Sequence, residues 1–298
     1  NMFRISLLTN SPNVTFQFNS NGFYRPRFLV DGQYINKSGH APTVTDTSSV
    51  AQYATLALPS AKMRMVTIEL QHGMGFSRAY IDAGYTAIAP KSNKLRIGVL
   101  GDSYCVGPDV GTGIAADATY TSMPATPSTS FNGEGMWQHA GDWGGWEAAP
   151  YPLGGTGFYG VTGGGSNNYD GRWGDLTSQY TYKPLDALIL QGSVNDGYQT
   201  SDITGVVKMA TKALCNKALA AFPNIPILLT GVFPAAGSQL SRFQANEAAN
   251  AAIISEINDK RLAMIPIQTT PAIVPTWTTD NVGNAMISYD NVHFNPVT

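Results

Sequence analysis

Ser103 stands at the end of an apolar stretch, in a position where a hydroxyl group could act as a nucleophile. Leu95 to Leu100 has the composition of a buried parallel strand, and Gly101-Asp102-Ser103 ends it abruptly. Open α/β sheets place their ligands at the carboxyl ends of their strands, so this serine is well placed for chemistry. Gly, Asp and Ser also form ordinary turns, so the rest of a catalytic site must come from elsewhere in the chain.

Three further blocks supply the other groups that acyl transfer requires. Residues 153–158 form a glycine-rich turn, residues 188–191 form a second apolar strand that leads to Asn195, and Asp290 and His293 lie close to the end of the chain. A histidine can take the proton of a serine, and an aspartate bonded to its other ring nitrogen fixes the tautomer. Backbone amides of a glycine turn and an asparagine carboxamide can stabilise an oxyanion.

In this order, the four blocks resemble the SGNH hydrolase superfamily, also called the GDSL esterases. The resemblance covers roughly residues 94–298 and implies a parallel sheet flanked by helices. It also implies a catalytic triad and an oxyanion hole. The triad is Ser103, Asp290 and His293. The oxyanion donors are the amide of Ser103, the amide of Gly155 (with Gly154 as the other candidate) and the side chain of Asn195.

One departure from the family pattern is visible in the third block. That block usually has the form Gly-x-Asn-Asp, but here Ser193 stands at the glycine position. The departure concerns the local turn more than the role of Asn195. We interpret Asp102 and Asp196 as structural residues that anchor loops through backbone hydrogen bonds. We do not assign Cys105 as the nucleophile, because Ser103 has the better context.

The elements that must position these residues alternate between strand and helix from residue 185 onward. Such alternation predicts a parallel sheet covered on both faces. Ser201 or Asp202 can cap the first helix of this half. The predicted elements are a strand at 185–191, a helix to about 222, a strand at 225–232, a helix at 238–260 and a strand at 262–267.

Residues 1–92 have the alternating pattern of short, half-buried strands. Val14, Phe16 and Phe18 alternate with polar residues, and turn signals separate such runs. We therefore predict a small N-terminal β-sandwich of the jelly-roll type over 1–92, a linker around residues 89–94, and a catalytic domain over 93–298. This pairing resembles two-domain carbohydrate esterases and phage tail-associated esterases, and an extracellular or virion-associated location is compatible with it.

A segment rich in aromatic residues and glycine separates the first block from the third. With little periodicity over about 108–182, it predicts a long irregular insertion. Its aromatic rings could form a sugar-binding wall beside the site or pack the loop onto the domain. The predicted substrate contacts are Trp143, Trp146 and Trp173 in this segment, and Trp277 in the polar loop at 271–289.

Composition narrows the classes of partner. The net charge is −2 and charged residues make up 13% of the chain, with no basic cluster. We therefore expect neither nucleic acid nor a membrane surface as a partner. No apolar run is long enough to span a bilayer. With four histidines and two cysteines, no metal-ligand set emerges, so we assign no metal or cofactor. Cys105 and Cys215 could form a disulfide, although two cysteines in a chain of this length are more often free.

These observations predict a serine esterase that removes small acyl groups, foremost acetyl, from a carbohydrate or another small ester. A lipase or thioesterase of the same superfamily is one alternative, although it would need an aliphatic acyl groove. A glycan-binding tail or adhesion module with a vestigial esterase site is another alternative. The complete set of Ser103, Asn195, Asp290 and His293 argues against it.

Overall fold

The computed structural model describes nine ranges of the chain, and their residues fall into two compact units. The described residues up to Pro90 form one unit, and those from Lys94 onward form the other. Trp277, Asp290 and His293 lie outside the described residues, as does the first part of the predicted insertion, residues 108–135. The described ranges are 3–19, 26–35, 51–70, 75–90, 94–106, 136–161, 167–181, 183–233 and 240–267.

The N-terminal unit consists of two antiparallel sheets whose inner faces share one hydrophobic core. A five-stranded sheet has the order β4-β3-β6-β1-β8, and a three-stranded sheet has the order β5-β2-β7. Val14, Phe16 and Phe18 of β2 point into this core, as their alternation predicts. The strands are β1 (Phe3–Thr9), β2 (Asn13–Asn19), β3 (Arg27–Val30), β4 (Gln33–Tyr34), β5 (Ala51–Ala57), β6 (Arg64–Leu70), β7 (Gly75–Ile81) and β8 (Ala87–Ile88).

The second unit is built on a five-stranded sheet in which every strand pairing is parallel. Its order is β10-β9-β11-β12-β13, and helices connect its strands. The strands are β9 (Arg96–Gly101), β10 (Glu147–Pro152), β11 (Ala187–Gly192), β12 (Ile227–Val232) and β13 (Leu262–Ile265). The α-helices are α1 (Ser103–Val106), α2 (Met136–Gly144), α3 (Trp173–Thr181), α4 (Val194–Gln199), α5 (Lys208–Ala221) and α6 (Leu240–Ile257), with a π-helical turn at Ile203–Val207.

The predicted α/β class and four of the five strands of this sheet are confirmed. The expectation of an irregular insertion differs from the structure beyond residue 135. Residues 136–152 and 173–181 form α2, β10 and α3. The sequence does not indicate β10 as a strand because it contains Pro150 and Pro152, and proline is confined to edge strands. β10 is an edge strand of this sheet, so both prolines are tolerated there.

The strand order places a binding crevice at one defined point of the sheet. The next strand along the chain after β9, β10, lies on one side of β9, and the strand after that, β11, lies on the other side. The strand order therefore reverses direction at β9, and such a reversal opens a crevice at the carboxyl ends of β9 and β11. Ser103 follows β9 and Asn195 follows β11, so both lie at this crevice. Among the described residues, no helix is both long and apolar enough to cross a membrane.

Candidate active site

Ser103 begins the short helix α1 directly after β9, and Asp102 fixes this junction. The Asp102 carboxylate accepts a hydrogen bond from the Tyr104 amide at 3.0 Å, and its carbonyl oxygen accepts one from the Cys105 amide at 3.1 Å. Asp102 is fully buried, whereas Ser103 is partly exposed. The strand therefore ends in a buried anchor that holds the serine at the surface of the crevice.

The glycine turn lies against this serine. The Leu153 amide donates to the Gly101 carbonyl at 3.2 Å, which joins the ends of β10 and β9. A Cβ atom added to Gly154 would lie 3.7 Å from the Cβ of Ser103. Gly155 has φ +73°, a left-handed conformation that favours glycine. The structure therefore brings Ser103 and the predicted oxyanion glycines together.

Asn195 joins the same cluster from the end of β11. It lies in the first turn of α4, and Ser193 is the N-cap residue of that helix. The Asn195 side-chain nitrogen is 3.1 Å from the Thr156 carbonyl oxygen and 3.4 Å from Asp102 Oδ2. Hydrogen bonds and close approaches thus connect three of the four predicted blocks at one edge of the sheet, while Asp290 and His293 of the fourth lie outside the described residues.

Gln191, at the end of β11, links these blocks beneath the surface, and sequence reasoning did not single it out. Its amide nitrogen donates to Asp102 Oδ1 at 2.7 Å, and its carbonyl oxygen accepts from the Trp137 indole at 2.7 Å and the Cys105 thiol at 3.0 Å. A polar residue at the end of an otherwise apolar strand is the signal that could have identified it, because a buried amide needs partners.

Arg172 is a second residue that sequence reasoning missed. Its buried guanidinium donates to the Gly101 carbonyl at 3.0 Å, to the Tyr151 carbonyl at 3.2 Å and to the Thr156 hydroxyl at 3.1 Å. Burial lowers the pKa of this arginine from its ordinary value. The contacts join the ends of β9 and β10 to the glycine turn, so Arg172 holds the floor of the crevice.

Asp196 anchors the loop that follows the glycine turn. Its fully buried carboxylate accepts hydrogen bonds from the amides of Phe158, Tyr159 and Gly160 at 2.9–3.0 Å. Burial raises the pKa of Asp196 to about 6, although the three amides oppose that shift. A Cβ atom on Gly157 would lie 2.5 Å from this carboxylate, so the close approach requires glycine there.

With this geometry established, solved structures identify the fold. A family two carbohydrate esterase from Clostridium thermocellum, in complex with cellohexaose, is 14% identical with a TM-score of 0.66, covering 89% of this chain and 81% of that one. An acetyl xylan esterase from the rumen bacterium Butyrivibrio proteoclasticus is 11% identical with a TM-score of 0.61, covering 89% and 80%. A salicylyl-acyltransferase from a tetracycline biosynthetic pathway is 14% identical with a TM-score of 0.62, covering 99% and 77%.

The chain has the fold of these proteins. This likeness confirms the predicted SGNH-type architecture with its additional β-sheets. Neither a protein-family model nor a curated protein matches the sequence. At such low identities the likeness concerns the fold, and the chemistry has to be argued from the residues of this chain.

Two cysteines can be assigned structural roles within this fold. Cys105 and Cys215 are both free and buried. Burial raises the pKa of the Cys105 thiol well above its ordinary range and that of Cys215 to about 12, so both remain protonated at neutral pH. Within the described ranges, no three His, Cys, Asp or Glu side chains come together as a metal site.

Two of the tryptophans predicted to contact substrate pack against hydrophobic clusters of the second unit. The Trp173 ring meets the Phe222 ring edge to face, with centroids 6.1 Å apart. Trp146 packs against the cluster that contains Val99. These contacts support the packing alternative for both rings, and their contact with substrate stays a prediction.

The strand register places Trp146 relative to Ser103. Trp146 directly precedes β10, whose first residue, Glu147, pairs with Arg96 at the start of β9. At roughly 3.3 Å per residue, the length of β9 separates Glu147 from the carboxyl edge by about 16 Å. Trp143 lies near the end of α2 and is 91% exposed. The contact of either ring with substrate stays a prediction.

Proposed function

We propose that this protein is a serine esterase that hydrolyses small acyl esters, foremost acetyl esters, of a carbohydrate. The observation that carries the proposal is the convergence of Ser103, the turn at Gly154-Gly155 and Asn195 at the crevice between β9 and β11. A nucleophile and two kinds of oxyanion donor are what acyl transfer needs at one point.

The proposed reaction has two steps. Ser103 Oγ attacks the ester carbonyl carbon while His293 takes the hydroxyl proton and returns it to the departing sugar oxygen. Water then attacks the acyl-enzyme, again with His293 as the base, and releases the carboxylic acid and the free serine. Asp290 orients His293. The amides of Ser103 and Gly155, with Gly154 as the alternative, and the Asn195 side chain stabilise the oxyanion of each tetrahedral intermediate.

The carbohydrate part of the proposal rests on the proteins that share this fold. They include carbohydrate esterases, one of them in complex with cellohexaose and another an acetyl xylan esterase. The described side chains near Ser103 include the Thr156 hydroxyl and the buried polar groups of Asp102 and Ser193. These polar neighbours support a short acyl group over the long chain that a lipase would bind.

Replacement of the proposed nucleophile tests the activity itself. We expect Ser103→Ala to lower kcat on p-nitrophenyl acetate roughly 10⁴- to 10⁶-fold, because the triad loses its nucleophile. Ser178→Ala, an exposed serine on α3, is the matched control and should retain the activity of the wild type. Retention of most activity by Ser103→Ala would refute the assignment, and a wild-type chain that turns over no ester would favour a binding module.

Two substrate series sharpen the class of ester. Activity should fall steeply from p-nitrophenyl acetate to the octanoate if the acyl site is short, whereas a rise with chain length would indicate a lipase. Release of acetate from acetylated xylan or an acetylated cello-oligosaccharide tests the carbohydrate part. Turnover of the small ester without release of acetate from any acetylated glycan would restrict the proposal to an esterase of small molecules.

A further inference from the structure

Ser193 occupies the centre of a buried polar cluster at the start of α4. Its side chain is almost fully buried, and its backbone is extended, with φ −107° and ψ 131°. Its hydroxyl oxygen accepts the Asn195 backbone amide at 3.1 Å, which is the N-cap bond of the helix. A serine that only caps a helix does not need to be buried. The burial of Ser193 therefore has to be explained by the other contacts of its hydroxyl.

The same hydroxyl faces two acceptors from other segments. Ser193 Oγ is 2.7 Å from Asp102 Oδ2 and 2.8 Å from the Thr156 carbonyl oxygen. A hydroxyl has one proton, and a carboxylate is the stronger acceptor, so the donated bond goes to Asp102. Ser193 therefore connects the residue that precedes the nucleophile with the glycine turn and α4.

The lone pairs of this hydroxyl also face the Asn195 side chain. The Asn195 nitrogen lies 3.1 Å from Ser193 Oγ, 3.1 Å from the Thr156 carbonyl oxygen and 3.4 Å from Asp102 Oδ2. A carboxamide can rotate by half a turn and exchange its oxygen for its nitrogen, and acceptors around the nitrogen oppose that rotation. Two of these three contacts of the Asn195 nitrogen are 3.1 Å long, and Ser193 Oγ makes one of the two.

We propose that Ser193 is a positioning residue: its hydroxyl fixes the donor end of the Asn195 carboxamide relative to Asp102 and Ser103. The inference rests on the proposed esterase function, in which Asn195 stabilises the oxyanion. Ser193 does not touch the substrate in this role. It acts through Asn195, so its contribution disappears when Asn195 is absent.

A double-mutant cycle on p-nitrophenyl acetate tests this dependence. We expect Ser193→Ala to lower kcat about tenfold with KM nearly unchanged, a smaller loss than the roughly 10²- to 10³-fold expected for Asn195→Ala. The double variant should be no slower than Asn195→Ala alone, because the two residues act as one unit. Multiplicative losses, or an effect on KM alone, would overturn the proposal.

Two controls separate positioning from stability. Asp202→Ala removes another cap, the hydrogen bonds to the Gly205 and Val206 amides at the start of the π-helical turn that follows α4. It should lower the melting temperature as Ser193→Ala does and leave kcat unchanged. Ser193→Thr keeps the hydroxyl and should restore most of kcat if it folds; if it does not fold, the cycle with Ser193→Ala still decides.

Failure of this inference can be distinguished from failure of the proposed function. An active Ser103→Ala would refute the esterase mechanism and with it the role of Asn195. An inactive Ser103→Ala combined with full kcat in Ser193→Ala would leave the esterase intact and assign Ser193 to helix capping alone.

Discussion

Glu69 in the N-terminal unit and Asp196 in the second unit are both fully buried carboxylates, but they are satisfied in different ways. Glu69 accepts from the guanidinium groups of Arg4 at 2.6 Å and Arg27 at 2.8 Å, and from the Tyr34 hydroxyl at 3.2 Å. Asp196 accepts from three consecutive backbone amides. One carboxylate is paired with charge, and the other is surrounded by neutral donors.

The difference teaches what each carboxylate organises. Arg4, Glu69 and Arg27 face one another across three neighbouring strands, so the ion pairs hold those strands side by side. Asp196 instead holds a loop in one conformation beside the glycine turn. Charge pairing therefore holds three strands of the five-stranded sheet together, whereas hydrogen bonds from neutral amides fix the loop beside the glycine turn. Loss of the Glu69 ion pairs should affect stability alone. The effect on stability of losing the Asp196 carboxylate should depend on pH.

The largest effect should follow from removing the paired charge. Glu69→Gln takes away the carboxylate that pairs with the buried Arg27, so we expect the N-terminal unit to lose about 3–5 kcal/mol of stability. All five tryptophans lie beyond residue 93, so indole fluorescence does not report on this unit. Hydrogen exchange should therefore be measured on peptides from β1, β3 and β6, where it should accelerate.

The exposed ion pair between Lys217 and Asp170 provides the control for this prediction. Asp170→Asn should change stability little, because an exposed pair contributes at most about 1 kcal/mol. Unchanged exchange in Glu69→Gln would show that the buried pair does not stabilise the strands. A loss of esterase turnover with unchanged exchange would contradict the division of roles between the two carboxylates.

The pH dependence of stability should distinguish Asp196 from other acidic residues. Its pKa in the folded protein is about 6, above the value of about 3.9 for an unfolded aspartate. Between these two pH values the folded state binds more protons, so the free energy of unfolding falls as pH rises from about 4 to 6. The full loss from this residue is about 3 kcal/mol.

Urea unfolding followed by tryptophan fluorescence at several pH values between 4 and 7 measures this dependence in the second unit. Other groups titrate in the same range, so the relevant quantity is the difference between the wild type and Asp196→Asn. We expect the variant to lack the decline of about 3 kcal/mol. Parallel pH profiles in the two proteins would exclude Asp196 as its source.

The sequence predicts those parts of the site that depend on local pattern. β9 and β11 are continuous apolar runs, and the order of the motifs is enough to propose Ser103, Gly154-Gly155 and Asn195 as candidates that lie at one edge of the sheet. β10 could not be predicted, because its two prolines are acceptable only at the edge of a sheet, and edge position is a property of the whole sheet.

The polar contacts beneath the site are non-local and escape such patterns. Gln191 meets Asp102 across 89 residues of chain, and Arg172 meets Gly101 across 71. The local sequence around Gln191 and around Arg172 does not indicate which residue each of them contacts. The departure at Ser193 is visible in the sequence, but its physical reason, a shared hydrogen bond with Asp102, emerges only when the two strand ends are side by side.

A buried arginine extends the comparison between the units and gives the smallest expected effect. Arg27 pairs with Glu69, whereas the hydrogen bonds of Arg172 go to two carbonyl oxygens and a hydroxyl. Arg172→Lys keeps the charge but loses the planar fork that reaches three acceptors at once. The strand ends and the glycine turn should then shift slightly, and we expect kcat on p-nitrophenyl acetate to fall about tenfold with little change in KM.

Arg261 is the matched control, because it also donates to backbone carbonyls, those of Leu219 and Pro223, at the other end of the sheet from Ser103. Arg261→Lys should lower stability modestly and leave kcat unchanged, since no part of the proposed site depends on it. Equal losses of kcat in the two variants would trace the effect to general loosening of the second unit. A loss confined to Arg172→Lys, with an unchanged melting temperature, would assign the positioning of the glycine turn to this guanidinium.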